Sequence, residues 1–320
     1  MHPRHRHPSR TSRPPVGRGP VWRALLRTIA SALRRVGLAL PLAAFLIPAH
    51  ATLRETQLDL PVTVQDMQGR RVAQTIRVTV FDDDANPHPA PVLVLNHGRA
   101  VDAAGRAALG RARYHEASRF FVRHGFIVAV PTRVGYGVSG GPDVEDSGAC
   151  QRRDYPAGYG AAADQALAAL AAVRAMPGAD PGRAVIVGQS YGGATAIAAA
   201  ARATPGVVGA INFAGGGGGN PRTHAGQPCS PQQMGELFAS YGRSVRIPTL
   251  WLYAENDQYF GADWPRQWFS AFRAAGGNGE FVQFPPQGED GHSTFTRAPQ
   301  AWQPVVSGFL QRLGFPALRD

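Results

Sequence analysis

The chain has 320 residues, 44% of them hydrophobic, enough to bury the core of one large α/β domain. Its formal net charge of +11 is concentrated at one end, because nine arginines and no acidic residue precede Thr52, leaving +2 for the rest. A nearly neutral body lacks the basic face that nucleic-acid binding needs, and with lysine absent every strong cation is a guanidinium.

The first 51 residues read as an export leader. Arginines run up to Arg34-Arg35, an apolar run follows from Val36 to Ile47, and Ala49-His50-Ala51 supplies a small-x-small cleavage pattern. Cleavage is expected after Ala51 by the general secretory route, since the residues around the arginine pair match the twin-arginine signal poorly. The apolar run is shorter than the ~20 residues of a spanning helix, and Pro41 interrupts it. A catalytic domain over residues 52–320 is therefore expected in the periplasm or outside the cell, with no membrane anchor.

Alternating residues from Leu53 to Asp82 flank Asp66-Met67-Gln68-Gly69, the pattern of an antiparallel hairpin. Strand Pro91–Asn96, helix Tyr114–His124 and strand Phe126–Pro131 follow, then a long loop to about Tyr159. A helix is expected over Ala161–Ala175, ended by Pro177-Gly178, then a strand over Arg183–Val187 and an alanine-rich helix from Gly193 to Ala203. After strand Val207–Phe213, Gly215–Gln232 reads as a loop that shapes a pocket together with Gly135–Tyr155. Its five consecutive glycines lack the lysine and the hydroxyl residue of a phosphate loop. Strand Thr249–Ala254, helix Trp264–Ala275, strand Gly279–Phe284 and helix Gln300–Leu313 complete the pattern. Strands alternating with helices predict a mostly parallel sheet covered on both faces, with reactive groups in the crevice at the strands' carboxyl ends.

Chemistry concentrates at three such strand ends. Gly188-Gln189-Ser190-Tyr191-Gly192 bridges a predicted strand and helix, so Ser190 belongs on a sharp elbow with its hydroxyl lifted clear of the sheet. An unaided serine hydroxyl is a poor nucleophile and needs a base. His292 follows the last strand, and Asp257 follows Thr249–Ala254, with Glu255 and Asp290 as alternative acids. In the order Ser190, Asp257, His292, the imidazole takes the serine proton while the carboxylate fixes its tautomer. His97, His115, His124 and His224 are expected to be structural or solvated.

In these features the chain resembles an α/β-hydrolase, nearest to the dienelactone hydrolase and prolyl-oligopeptidase-like group, from about Thr52 onward. Pro91-Val92-Leu93-Val94-Leu95-Asn96-His97-Gly98 is similar to the strand and His-Gly turn that precede that fold's oxyanion hole. The resemblance implies that the backbone N–H groups of Arg99 and Tyr191 hold the developing oxyanion. Arg133-Val134-Gly135-Tyr136-Gly137-Val138-Ser139-Gly140 resembles the arginine- and glycine-rich loop after the next strand, with Thr132 where many relatives carry aspartate. Arg133 and Tyr136 are expected to contact substrate, and Arg99 with Arg133 would favour an anionic one; the alternative is that both arginines pair with Asp143, Glu145 or Asp154. Cys150 and Cys229, the two cysteines of the chain, are expected to form a disulfide in an oxidising compartment. The implied activity is a serine hydrolase cleaving a small-molecule ester or lactone, with neither metal nor cofactor. A peptidase removing short N-terminal units and a non-catalytic binding protein are the competing readings.

Overall fold

A computed structural model describes residues 53–319. The expected leader and its expected cleavage point after Ala51 lie outside the described residues. The hairpin forms as β1 (Leu53–Gln65) and β2 (Arg71–Asp83), paired antiparallel along their full length. Next come β3 (Ala90–Asn96), α1 (His115–Arg123) and β4 (Ile127–Thr132). Helix α2 (Tyr155–Arg174), β5 (Ala179–Gln189), α3 (Tyr191–Ala200) and β6 (Val207–Phe213) build the middle. Helix α4 (Pro231–Gly242), β7 (Thr249–Ala254), α5 (Asp263–Ala274), β8 (Gly279–Phe284) and α6 (Pro299–Arg312) complete it.

The strands form one eight-stranded sheet in the order β1-β2-β4-β3-β5-β6-β7-β8. From β4 to β8 neighbouring strands run parallel, and β2 joins antiparallel to β4. Burial on both faces explains why the central strands are apolar without interruption. Along β3, Val92 and Val94 enter one core with Ile186, Ala196 and Trp251. Leu93 and Leu95 enter the opposite core with Val185, Val187 and Trp302. Alternation of period two thus feeds two cores at once.

The order β4-β3-β5 positions the candidate site. Chain leaving β3 crosses to β4 on one side, then returns to β5 on the other, which opens a crevice between the carboxyl ends of β3 and β5. His97-Gly98-Arg99 leaves β3 there, and Ser190 leaves β5. Helix α3 is able to press close to the sheet because its buried residues are mostly alanine and glycine.

Two expectations need correcting. Helix α2 begins at Tyr155, six residues before the expected Ala161, because Tyr155 and Tyr159 are buried core residues of its first turns. The segment Gly215–Gln232 is not one open loop. It holds a short helical turn over Pro221–His224 and runs into α4, whose Pro231 occupies a first-turn position and whose Met234, Leu237 and Phe238 are buried. Among the described residues no helix is long and apolar enough to cross a membrane.

Candidate active site

Ser190 occupies φ 59° and ψ −125°, a backbone conformation that side-chain-bearing residues rarely adopt. Its N–H donates to the Phe213 carbonyl at 2.8 Å, and its carbonyl accepts from Gly193 N–H at 2.8 Å. The flanking glycines are dictated by space. A Cβ on Gly188 would collide with the Gly192 carbonyl, and one on Gly192 would collide with the carbonyls of Asn96 and His97.

The predicted partners converge on Ser190. Its Oγ lies 2.8 Å from His292 Nε2, and His292 Nδ1 lies 2.9 Å from Asp257 Oδ2. All three residues are buried, with Ser190 the most exposed at 8%. The carboxylate on Nδ1 accepts that proton, which leaves Nε2 as the acceptor facing the serine. Asp257 is fixed in turn, because its Oδ1 accepts from the N–H groups of Tyr259 at 2.8 Å and Phe260 at 3.0 Å. The alternative acids are elsewhere. Glu255 is exposed, and Asp290 Oδ1 accepts from His292 N–H and Gln258 N–H, tying the histidine loop to the acid loop. This is the hydrogen-bonded arrangement a serine needs to act as a nucleophile.

The backbone N–H groups of Arg99 and Tyr191 have no acceptor among the described residues, while Gly98 N–H is taken by the Tyr114 hydroxyl at 3.3 Å. Tyr191 is the first residue of α3, so its free N–H also carries the positive end of the helix dipole. Behind this loop His97 is buried. It accepts from Arg133 N–H through Nε2 at 3.1 Å and donates from Nδ1 to the Gly98 carbonyl at 2.7 Å. Burial, reinforced by the Arg133 charge, holds the His97 pKa well below the usual histidine range, so the ring stays neutral and structural.

Arg133 and Tyr136 stand behind the crevice wall, not in it. Arg133 is fully buried, ion-paired with Glu145, and donates from Nη1 to the His97 carbonyl at 2.8 Å. The Tyr136 hydroxyl donates to the same Glu145, and burial, with the Glu145 charge next, raises its pKa above the usual phenol range. Arg99 forms a bidentate pair with Asp143 at 2.7 and 2.6 Å. The carboxylates of Gly135–Tyr155 therefore neutralise both arginines. Two arginines line the crevice, Arg99, which Asp143 holds, and Arg153, whose Nη1 donates to Ser147 Oγ at 3.3 Å and whose buried Nε has no partner among the described residues.

The crevice has a volume of about 280 Å³ and is lined by Ser190, Arg153, Tyr155, Tyr259 and the Gly216–Gly219 strip. That strip is pressed against aromatic rings: a Cβ on Gly216 would meet Trp268 and Phe260, and one on Gly217 would meet Tyr155 and Tyr159. A disulfide between Cys150 and Cys229, with Cα atoms 4.8 Å apart, joins the two pocket loops at the rim. The Tyr155 hydroxyl donates to the Cys229 carbonyl at 2.6 Å, and Ser230 Oγ donates to the Cys150 carbonyl at 2.8 Å. His224 lies beside these cysteines, with ligand atoms within 4.8 Å of one another, but the disulfide occupies both sulfurs as metal donors. Arg153, Tyr155 and Tyr259 carry no motif of their own. The nearest signal for Tyr259 is its place two residues after Asp257.

Residues 84–307 match the model of the dienelactone hydrolase family. No curated protein sequence matches the chain. Among solved structures, an esterase of Pyrococcus furiosus superposes with a TM-score of 0.51 at 14% identity, covering 80% of this chain and 90% of that one. A dienelactone hydrolase-like promiscuous phosphotriesterase from metagenomic libraries gives 0.53 at 16% identity, over 82% and 99% of the two chains. The acylaminoacyl peptidase of Pyrococcus horikoshii gives 0.56 at 13% identity, over 84% of this chain but 42% of its own. At such identities the likeness is one of fold.

Two outcomes test this geometry. Gly188→Ala is expected to yield no soluble folded protein, and a variant with a normal melting temperature would contradict the packing described. Peptide mass mapping without reduction should recover Cys150 linked to Cys229. Reduction should lower the unfolding midpoint, since closing 79 residues is worth up to about 4 kcal/mol in the chain-entropy model. An unchanged midpoint after verified reduction would show that the bridge stabilises nothing.

Proposed function

The chain belongs to the dienelactone hydrolase family, and from that premise we propose that it is a serine hydrolase cleaving a carboxylic ester or lactone through an acyl-enzyme on Ser190. The observation that carries this reading is the unbroken chain Ser190 Oγ–His292–Asp257, at 2.8 and 2.9 Å, beside two unpaired backbone N–H groups. His292 Nε2 takes the proton as Ser190 Oγ attacks the carbonyl carbon. The oxyanion accepts from Arg99 N–H and Tyr191 N–H, and Asp257 stabilises the imidazolium. His292 then gives the proton to the departing alcohol, and a water repeats the sequence to release the acid. In a lactone the alcohol remains tethered to the acyl group.

A peptidase would need an acidic anchor for the substrate's amine. Glu145 is committed to Arg133 and Tyr136, and neither Asp146 nor Asp154 lines the crevice, which favours the ester reading over the peptidase one. Export to the periplasm or beyond is part of the proposal, supported by the leader pattern and the rim disulfide. The ligand is a small molecule, and the binding-protein alternative leaves the hydrogen-bonded triad without a purpose.

Arg153, open to the crevice and without a carboxylate partner among the described residues, favours a substrate with an anionic group remote from the scissile bond. Arg153→Gln should therefore raise KM for a carboxylate-bearing ester about 10- to 100-fold and spare its neutral analogue. Equal effects on both esters would make Arg153 a wall residue only.

Ser190→Ala and His292→Ala should each reduce hydrolysis of p-nitrophenyl acyl esters to background with little change in melting temperature. Asp257→Asn should lower kcat by about 10⁴ through the wrong imidazole tautomer. Near-normal turnover in Asp257→Asn would contradict its role, and turnover of aminoacyl-prolyl anilides faster than esters would favour the peptidase.

A further inference from the structure

The two hydrogen bonds of His292 lie in the plane of its ring. Its face is covered as well. Tyr259 stacks on the imidazole with centroids 4.0 Å apart and 21° between the planes. Phe260 meets the same ring edge-on, at 5.1 Å and 80°. Both aromatics belong to the turn that carries Asp257, and their N–H groups hold that carboxylate. One four-residue turn thus supplies the acid, the donors that orient it, and two rings around the base.

The electrostatics of such a stack depend on protonation. An aromatic face carries negative potential, so it does little for a neutral imidazole and attracts an imidazolium. In the mechanism above, the positive charge on His292 exists only while a proton taken from Ser190 or from the attacking water sits on Nε2, that is, in the transition states and tetrahedral intermediates. A contact that strengthens only then raises kcat without tightening ground-state binding. The surroundings suit the effect: His292 and Asp257 are buried, which strengthens charge–quadrupole attraction by excluding water. Burial, with Asp290 and Asp257 next, raises the Tyr259 hydroxyl above the usual phenol range, so the ring stays a neutral phenol.

Resting on the hydrolase reading above, we infer that Tyr259 is a positioning residue that speeds both acylation and deacylation by stabilising the His292 imidazolium with its ring face. Its position on the crevice wall offers a competing role in touching substrate, and the two roles separate kinetically. A ring that acts through His292 changes kcat. A ring that only touches substrate changes KM.

The test is a series at position 259 on the full-length protein, with a p-nitrophenyl acyl ester at saturating and limiting concentration. Tyr259→Leu should lower kcat about 5- to 30-fold with KM changed less than about two-fold, the range expected for a partly to fully desolvated cation–π contact. Tyr259→Phe should rescue most of that loss. Replacing this phenylalanine by mono-, di- and trifluorophenylalanine drains electron density from the face at nearly constant shape. It should lower kcat stepwise, by about five-fold at the trifluoro ring. A flat kcat across the fluorinated rings in an active enzyme overturns the inference, even where Tyr259→Leu misfolds. Wild-type protein inert to every ester overturns the hydrolase reading instead, and the inference with it.

Discussion

A serine held at φ 59° is a strained residue, costing on the order of 1–3 kcal/mol, and it persists only where its surroundings leave no alternative. Here the surroundings are β5 and α3, brought so close that Gly188, Gly192 and the carbonyls of Asn96 and His97 fill the space between them. The same closeness aims the Ser190 hydroxyl at His292 and leaves the Tyr191 N–H free at the start of a helix. The strained serine, a backbone N–H without an acceptor among the described residues and the start of a helix are consequences of one tight junction. The central parallel sheet supplies the rigidity that keeps it tight, since β3, β5 and β6 are buried on both faces.

Behind the junction lies a polar layer built from guanidinium groups. Arg133 bridges the β4 loop to the His97 carbonyl and is balanced by Glu145, while Arg99 is clamped by Asp143. Arg133 also lies over the Tyr191 ring at 5.7 Å, so the loop bearing Arg99 and the residue Tyr191, the two proposed oxyanion donors, share one support. Planar, five-donor arginine suits this position, because a lysine could not serve the carboxylate and the carbonyl with the same fixed geometry. Buried pairs of this kind add little net stability, but losing one partner leaves a bare charge in the core. Their contribution is to hold the His97–Arg99 segment in register with Ser190.

Much of this was legible in the sequence because the candidate site residues sit directly after strands. Val207–Phe213, Thr249–Ala254 and Gly279–Phe284 form over the expected residues, and they carry Asp257 and His292 to the same sheet edge as Ser190. Directions of long side chains were legible only in part: pairing of Arg99 and Arg133 with Asp143 and Glu145 stood as one of two readings, and the turn of Arg153 toward the crevice carried no signal. Arg133 turns inward because Glu145, 12 residues later, waits there, and Arg153 faces the crevice because the disulfide and Ser230 draw its loop across. Helix α4 was hidden by the polar Gln232-Gln233 after Pro231, although Met234, Leu237 and Phe238 keep helical spacing. The stack of Tyr259 on His292 joins two loops from different strands, a relation no local pattern encodes.

The central claim is that Ser190 is the nucleophile and His292 its base. Covalent labelling of the purified protein with a fluorophosphonate tests it without knowledge of the natural substrate. Trypsin, which finds no lysine here, should release Ala184–Arg202, in which Ser190 is the one serine. The account predicts one adduct per chain on that serine, formed at least 100-fold more slowly in His292→Ala if proton removal drives attack. An unlabelled protein, an adduct on another peptide, or equal labelling of His292→Ala would contradict it.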